Sequence, residues 1–315
     1  MNRFRFLLSL TTLFISLNAS AYLSPTIGDM SEFIKNLDKA IYGELDIVDV
    51  ASGTLGHNPT AKVNSHSSAI LVNRWSLKEV IAGRLFSVTG VEFKKTARLC
   101  EGEEKFLNQK AYGKCSAVLV GPKHVLTAAH CIQNAQIACD RKSFIFDARS
   151  DLGSDGATQY FVNSQVYNCK NILSYHQSRD KTFDYALIEL DRPVEGGRKP
   201  VEIQQEELKV SDEVYMIGHP NGFLSKYSYN GFVRDIDPLF YITNLDAFGG
   251  NSGGPVYSKE TNKMVGLLIR GHDDFEWDTE LSCNRVIHCL DDRCDGEYVL
   301  KISAIIDDIE KARNN

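Results

Sequence analysis

From Cys100 onward the chain runs in short β-type segments separated by turn residues, and this pattern constrains the fold more than any other feature. Ala117 to Val120, Phe144 to Phe146, Ala186 to Leu190, Val214 to Ile217, Phe240 to Thr243 and Val265 to Ile269 are examples. Many short strands at this spacing predict an all-β sandwich or barrel. Asp191 to Leu208 is polar and contains Gly196-Gly197, so it reads as a bridge between two barrels. Ahead of these runs, Ile41 to Val50 alternates apolar and polar residues, which suits a strand. Gly53 to Ser68 is rich in Gly, Asn, Pro, Ser and His and reads as a long loop. At the far end, Ile305, Ile306 and Ile309 fall on one face of a short helix starting near Ser303.

The N-terminus reads as an export signal. Arg3 and Arg5 form a basic start, Phe6 to Leu17 is a short apolar run, and Ala19-Ser20-Ala21 supplies the small residues of a cleavage site. Removal after Ala21 is expected to leave no membrane anchor, because no later apolar stretch is long enough to cross a bilayer. Residues 22–40 read as a leader ahead of the core. The formal net charge of −6 becomes −8 without the signal, and there is no basic run. Such a chain is a poor binder of nucleic acid.

All eight cysteines lie beyond the signal: Cys100, Cys115, Cys131, Cys139, Cys169, Cys283, Cys289 and Cys294. An even count in an exported chain reads as four disulfides. Zinc is the rival, since His288 lies among the last three cysteines. Their spacings lack the CxxC pairs of a zinc knuckle, so disulfides fit better and no metal is expected.

Three segments carry chemistry. In Leu126-Thr127-Ala128-Ala129-His130-Cys131, the two alanines leave room around a histidine that must reach another segment as a general base. A bond from Cys131 to Cys115, across a hairpin turning at Gly121-Pro122, would fix that loop. In Gly249-Gly250-Asn251-Ser252-Gly253-Gly254-Pro255, glycine before the serine lets the N–H groups of Gly250 and Ser252 converge on a forming oxyanion. In Asp184-Tyr185-Ala186-Leu187-Ile188-Glu189-Leu190, an acid at the mouth of a strand is placed to hold the histidine tautomer. Taken singly, each has a bland alternative: a turn, a structural histidine, a strand-end aspartate. The order His, Asp, Ser on an all-β background is what sets them apart.

With these motifs, Thr127-Ala-Ala-His130-Cys131 and Gly250-Asn-Ser252-Gly-Gly-Pro255, the chain resembles the chymotrypsin-like serine endopeptidases over about Cys100 to Ile302. Within them it looks most like the bacterial glutamyl-endopeptidase branch, which shares Gly-Asn-Ser-Gly, a final helix and an opening like Ile41-Tyr42-Gly43. The resemblance implies two six-stranded antiparallel β-barrels with a short C-terminal helix. Barrel one would span about 100–190, barrel two about 209–302 and the helix about 303–313, within a protease domain of 41–315. It implies an acyl-enzyme mechanism on protein or peptide substrates, with His130, Asp184 and Ser252 as triad, Gly250 and Ser252 as oxyanion hole, and no cofactor. It also implies an exported protein, secreted or periplasmic. The Cys115 to Cys131 spacing matches the family's disulfide beside the histidine, and Cys139 is expected to pair with Cys169. Three pairings stay open for Cys100, Cys283, Cys289 and Cys294.

The chain departs from trypsin at several positions. Asn251 stands where trypsin has the aspartate that pairs with a new N-terminal ammonium, so that activation switch is expected to be absent. Ile269 replaces a common serine that hydrogen-bonds the catalytic aspartate. Gly271 ends the strand that pairs with substrate. Asp246, six residues before Ser252, occupies the position at the base of the specificity pocket. Cleavage after Arg or Lys is therefore favoured slightly over no clear preference, and both over cleavage after Glu. The alternative role for Asp246 is to brace its loop by hydrogen bonds.

Overall fold

The structure, a computed structural model, describes residues 40–51, 58–103, 105–133, 136–150, 154–178 and 182–314. The expected signal at 1–21 and all of the expected leader except Ala40 lie outside the described residues. Among the described residues no helix is long and apolar enough to cross a membrane.

Two closed antiparallel barrels carry the fold. The first is built from β1 (Ser68–Asn73), β2 (Cys115–Gly121), β3 (His124–Thr127), β4 (Lys142–Phe146), β5 (Val166–Gln177) and β6 (Asp184–Leu190), in the spatial order β4-β5-β6-β3-β2-β1. The second comprises β7 (Glu213–Gly218), β8 (Lys226–Ile236), β9 (Phe240–Thr243), β10 (Pro255–Ser258), β11 (Met264–Arg270) and β12 (Glu297–Lys301). Its order is β7-β10-β11-β12-β9-β8, closed by pairing of β7 with β8. Closure removes the exposed edges that short strands would otherwise present. The interior of the second barrel is filled by side chains such as Val214, Met216, Val233, Val256, Leu268 and Val299.

The first barrel begins earlier than expected. Ser68–Asn73 pairs with both β2 and β4, so the barrel draws a strand from ahead of residue 100. Nearly all of this strand is buried, so it lacks the polar-apolar alternation that marks a half-exposed strand. The expected loop at 53–68 contains α1 (Pro59–Ser65), while residues 52–57 lie outside the described ones. Asn58 caps α1, its Oδ1 accepting from Ala61 N–H (2.9 Å), and Pro59 fills the first helical position. Those same residue types made the segment look like a loop. The expected strand at 41–50 is two short strands, Ile41–Tyr42 and Ile47–Asp49. Ile41–Tyr42 runs parallel to His288–Cys289, and Ile47–Asp49 adds to the outside of β8.

The C-terminal helix α2 (Ile306–Arg313) follows a short 3-10 turn at Ile302–Ala304. It buries Ile309 and Ala312 and places Asp307 and Asp308 at its start, where the helix dipole favours acids. It docks back on the first barrel: Asp308 Oδ2 accepts from Tyr185 Oη (2.8 Å), and Arg313 Nε donates to Val120 O. The chain thus leaves barrel two and ties itself to barrel one, across whose junction the candidate site lies.

Candidate active site

His130 sits on a single 3-10 turn, Ala129–Cys131, just beyond the end of β3. Asp184 opens β6, which pairs with β3. This pairing brings the two residues together although they are 54 positions apart. Asp184 holds the histidine twice. Oδ1 accepts from the His130 backbone N–H (2.9 Å), and Oδ2 lies 2.6 Å from Nδ1. A proton on Nδ1, facing the carboxylate, would leave Nε2 free to accept a proton. Burial acts to raise the pKa of Asp184. The hydrogen bonds and charge of His130, with the Ala129 N–H, outweigh burial and hold the carboxyl below its ordinary value. Ile269 is buried in the core and offers Asp184 no hydroxyl.

Ser252 follows the Gly249-Gly250-Asn251 turn ahead of β10 and is 6% exposed. Its carbonyl accepts from Ser116 N–H (2.9 Å), and Cys131 Sγ lies 3.8 Å from the same oxygen. The serine backbone is therefore seated against the residue next to His130. Gly253 has φ +81°, and a Cβ there would lie 2.3 Å from Ser116 O and 2.4 Å from Thr127 Oγ1. Only glycine allows the loop to approach the first barrel this closely.

The Cys115–Cys131 disulfide joins β2 to the histidine turn, and Cys139 is bonded to Cys169. Cys100 pairs with Cys283 and Cys289 with Cys294. Every cysteine is consumed in a disulfide, so the grouping of His272 with Cys289 and Cys294 offers no thiolate for zinc.

Asp246 is 3% exposed, and both of its oxygens are engaged. Oδ1 accepts from Tyr42 N–H (2.7 Å) and Oδ2 from Asp46 N–H (2.6 Å). It braces the N-terminal arm, the alternative to a receptor for a basic side chain. Burial, against the pull of those two amides, pushes its pKa up to about 7. A carboxyl raised in this way stabilises the fold fully below its unfolded pKa and loses that contribution as pH rises through the folded value. Melting curves of wild type and Asp246→Asn should therefore diverge with pH. The wild type is expected to lose Tm relative to the variant between about pH 4 and pH 7. A constant offset across that window would show that Asp246 does not titrate there.

Two buried acids that sequence reasoning did not single out close the same region. Asp274 Oδ2 accepts from Gly249 N–H (2.8 Å), at the start of the Gly249–Asn251 turn. The Glu297 carboxylate packs behind Gly271, where a Cβ would lie 2.1 Å from Oε1. Both acids are fully buried. Glu297 opens β12, beside the strand that ends at Arg270, which the sequence could have signalled as an acid at the head of a buried strand. His272, next to Gly271, faces Asp295 (Nδ1 to Oδ2, 3.3 Å).

The family described as trypsin-like peptidase domain matches residues 115–267, the span that holds His130, Asp184 and Ser252. Over that span, just under half of its length, the chain is similar to trypsin-like peptidases. Secreted RxLR effector protein 73 of Plasmopara viticola is 27% identical over 179 residues, covering 52% of this chain and 43% of that protein. Glutamyl endopeptidase of Bacillus licheniformis is 27% identical over 155 residues, covering 48% of this chain and 47% of that protein. The chain thus spans less than half the length of these two relatives. A solved Glu endopeptidase structure, in complex with MPD, aligns with a TM-score of 0.49 at 16% identity, over 88% of this chain and all of that one.

Proposed function

We propose that the protein is an exported serine endopeptidase that hydrolyses peptide bonds through an acyl-enzyme. The observation that carries this reading is the double hold of Asp184 on His130, through the ring Nδ1 and the backbone N–H. In the reaction, Ser252 Oγ attacks the substrate carbonyl while His130 Nε2 takes its proton. Asp184 keeps the ring in the required tautomer and stabilises the imidazolium that forms. The N–H groups of Gly250 and Ser252 receive the oxyanion. His130 then returns the proton to the leaving amine, and water releases the acyl group by the same route. Substrates are proteins or peptides, and the basic start with its small-residue cleavage site supports export.

For specificity we favour a basic side chain before the cut, on different ground from that of Asp246 alone. Two acids, Asp274 and Glu297, are buried against the turn and Gly271 respectively. A glutamate side chain would need a cation there; Leu268 and Ala247 offer none, and the nearby His272 faces Asp295. Cleavage of a mixed peptide library should enrich Arg or Lys before the cut. Enrichment of Glu, the preference in the name of the Bacillus relative, would refute this.

A fluorophosphonate probe tests the catalytic reading itself. Covalent modification of Ser252 is expected in the wild type and none in Ser252→Ala. A folded wild type that stays unlabelled would instead identify a non-catalytic module that kept the fold.

A further inference from the structure

We propose that Ser116 is a positioning residue for the oxyanion-binding amides, filling the role that an ion pair at position 251 plays in trypsin. The inference rests on the peptidase function proposed above. An amide that must point into an active site has to be held by something. Asn251 is neutral and cannot form an ion pair with an ammonium.

What holds the turn is a set of hydrogen bonds to consecutive peptide planes. A trans peptide directs its C=O and N–H to opposite sides, and among the described residues no peptide is cis. Gly249 O accepts from Asn221 N–H, so the Gly250 N–H of the same plane points away from the 219–222 turn. Gly250 O accepts from Ser116 Oγ (2.8 Å), and Asn251 N–H of that next plane donates to Phe248 O (2.9 Å). Gly249 N–H, one plane earlier, is held by Asp274. The turn depends on glycine as well. Gly250 has φ +90°, and a Cβ would lie 2.6 Å from His219 O and 2.9 Å from Asn221 N.

Ser116 is the only side chain in this set that acts on the Gly250 carbonyl, and its proton is directed. The hydroxyl accepts from His219 N–H (2.8 Å), which turns its single O–H towards Gly250 O. The same residue's N–H holds Ser252 O (2.9 Å), so Ser116 grips both ends of the Gly250–Ser252 segment. Thr127 Oγ1 in turn donates to Ser116 O (2.7 Å). Cys115, its neighbour, is bonded to Cys131 beside His130. Ser116 therefore fixes the oxyanion amides relative to the base. Without its hydroxyl, the Gly250 carbonyl is released and the turn can rotate the Gly250 N–H out of the site.

The test is Ser116→Ala, with kinetics on a peptide substrate and inhibition by a peptidyl trifluoromethyl ketone, whose hemiketal places an oxyanion in the hole. Loss of one oxyanion donor costs roughly 100- to 1000-fold, so loosening one is expected to lower kcat by about 10- to 100-fold. KM should stay within about twofold, because the interaction matters mainly in the transition state. Ketone affinity should fall by the same factor as kcat, while affinity for the product peptide acid is unchanged. An unchanged kcat, or equal losses in ketone and product affinity, would overturn the proposal. If Ser116→Ala does not fold, the pair Ser116→Thr and Ser116→Val decides, since the two have nearly the same shape and only threonine keeps the hydroxyl. A threonine variant no faster than the valine variant would overturn it. Absence of fluorophosphonate labelling in the wild type would instead remove the peptidase reading, so the two failures are distinguishable.

Discussion

Replacing Asp184 by asparagine is expected to lower kcat by about 10⁴-fold while leaving the fold intact, the size of loss that follows when the triad acid of such a site becomes an amide. The geometry explains why so small a change should matter so much. Oδ1 accepts from the His130 backbone N–H, a bond that an amide oxygen preserves, so the turn stays in place. Oδ2 faces Nδ1 at 2.6 Å, and an amide NH₂ there would donate to the ring nitrogen. The proton would move to Nε2, which could then no longer accept from Ser252. Substrate binding does not involve this contact, so KM should change little. Steady-state kinetics with circular dichroism as a fold control would check this. A loss below about tenfold would show that Asp184 does not set the histidine tautomer.

The residues of the candidate site were legible because each lies in a contiguous motif. Thr127 to Cys131 and Gly250 to Pro255 carry their chemistry in their own neighbours, and β6 announces itself by a run of buried residues after Asp184. The second barrel was legible for a similar reason: its expected segments at 214–217, 240–243 and 265–269 all fall inside observed strands. What could not be read depends on contacts between distant segments. Asp246 is held by Tyr42 and Asp46, some 200 residues earlier, and nothing local to Asp246 distinguishes a pocket base from a brace. Ser116 looks like any small residue after a cysteine until the closing of the two barrels sets it against Gly250. The Asn58-Pro59 pair was misread because a helix cap and a turn use the same residues. The partners of Cys100 and Cys289 likewise depend on where the loop after Gly271 folds, which only the assembled second barrel fixes.

That loop leads to the second large expectation, the double variant Cys100→Ser/Cys283→Ser. The bond joins residues 183 positions apart, and in the chain-entropy model closing a loop of this length contributes about 5 kcal/mol. The disulfides at Cys115–Cys131 and Cys139–Cys169 lie inside the loop and shorten it, but the dependence is logarithmic and removes only a few tenths of a kcal/mol, roughly. The expected fall in Tm is about 10 to 20 °C, taking roughly 2–4 °C per kcal/mol for a domain of this size. By the same model the Cys289–Cys294 bond, across five positions, contributes about 2 kcal/mol, so its removal should cost less than half as much. Activity should separate the two bonds as well. Around Cys100, the backbones of Cys100 and Asn284 are bonded (3.0 Å), and the Asn284 side chain donates to Ala97 O (2.6 Å). Cys283–Val286 forms a hairpin with Phe275–Asp278, and Phe275 at its open end packs on Phe248, with centroids 5.8 Å apart, directly ahead of the Gly249–Asn251 turn. Asp274, one residue earlier, holds Gly249 N–H. Loosening the hairpin from Cys100 should therefore lower kcat even at temperatures where the variant remains folded. Thermal melts and kinetics of the two double variants would test both parts. Equal losses of Tm would show that local packing outweighs loop closure. An unchanged kcat below the melting transition would show that Phe275 and Asp274 hold the turn without help from the disulfide.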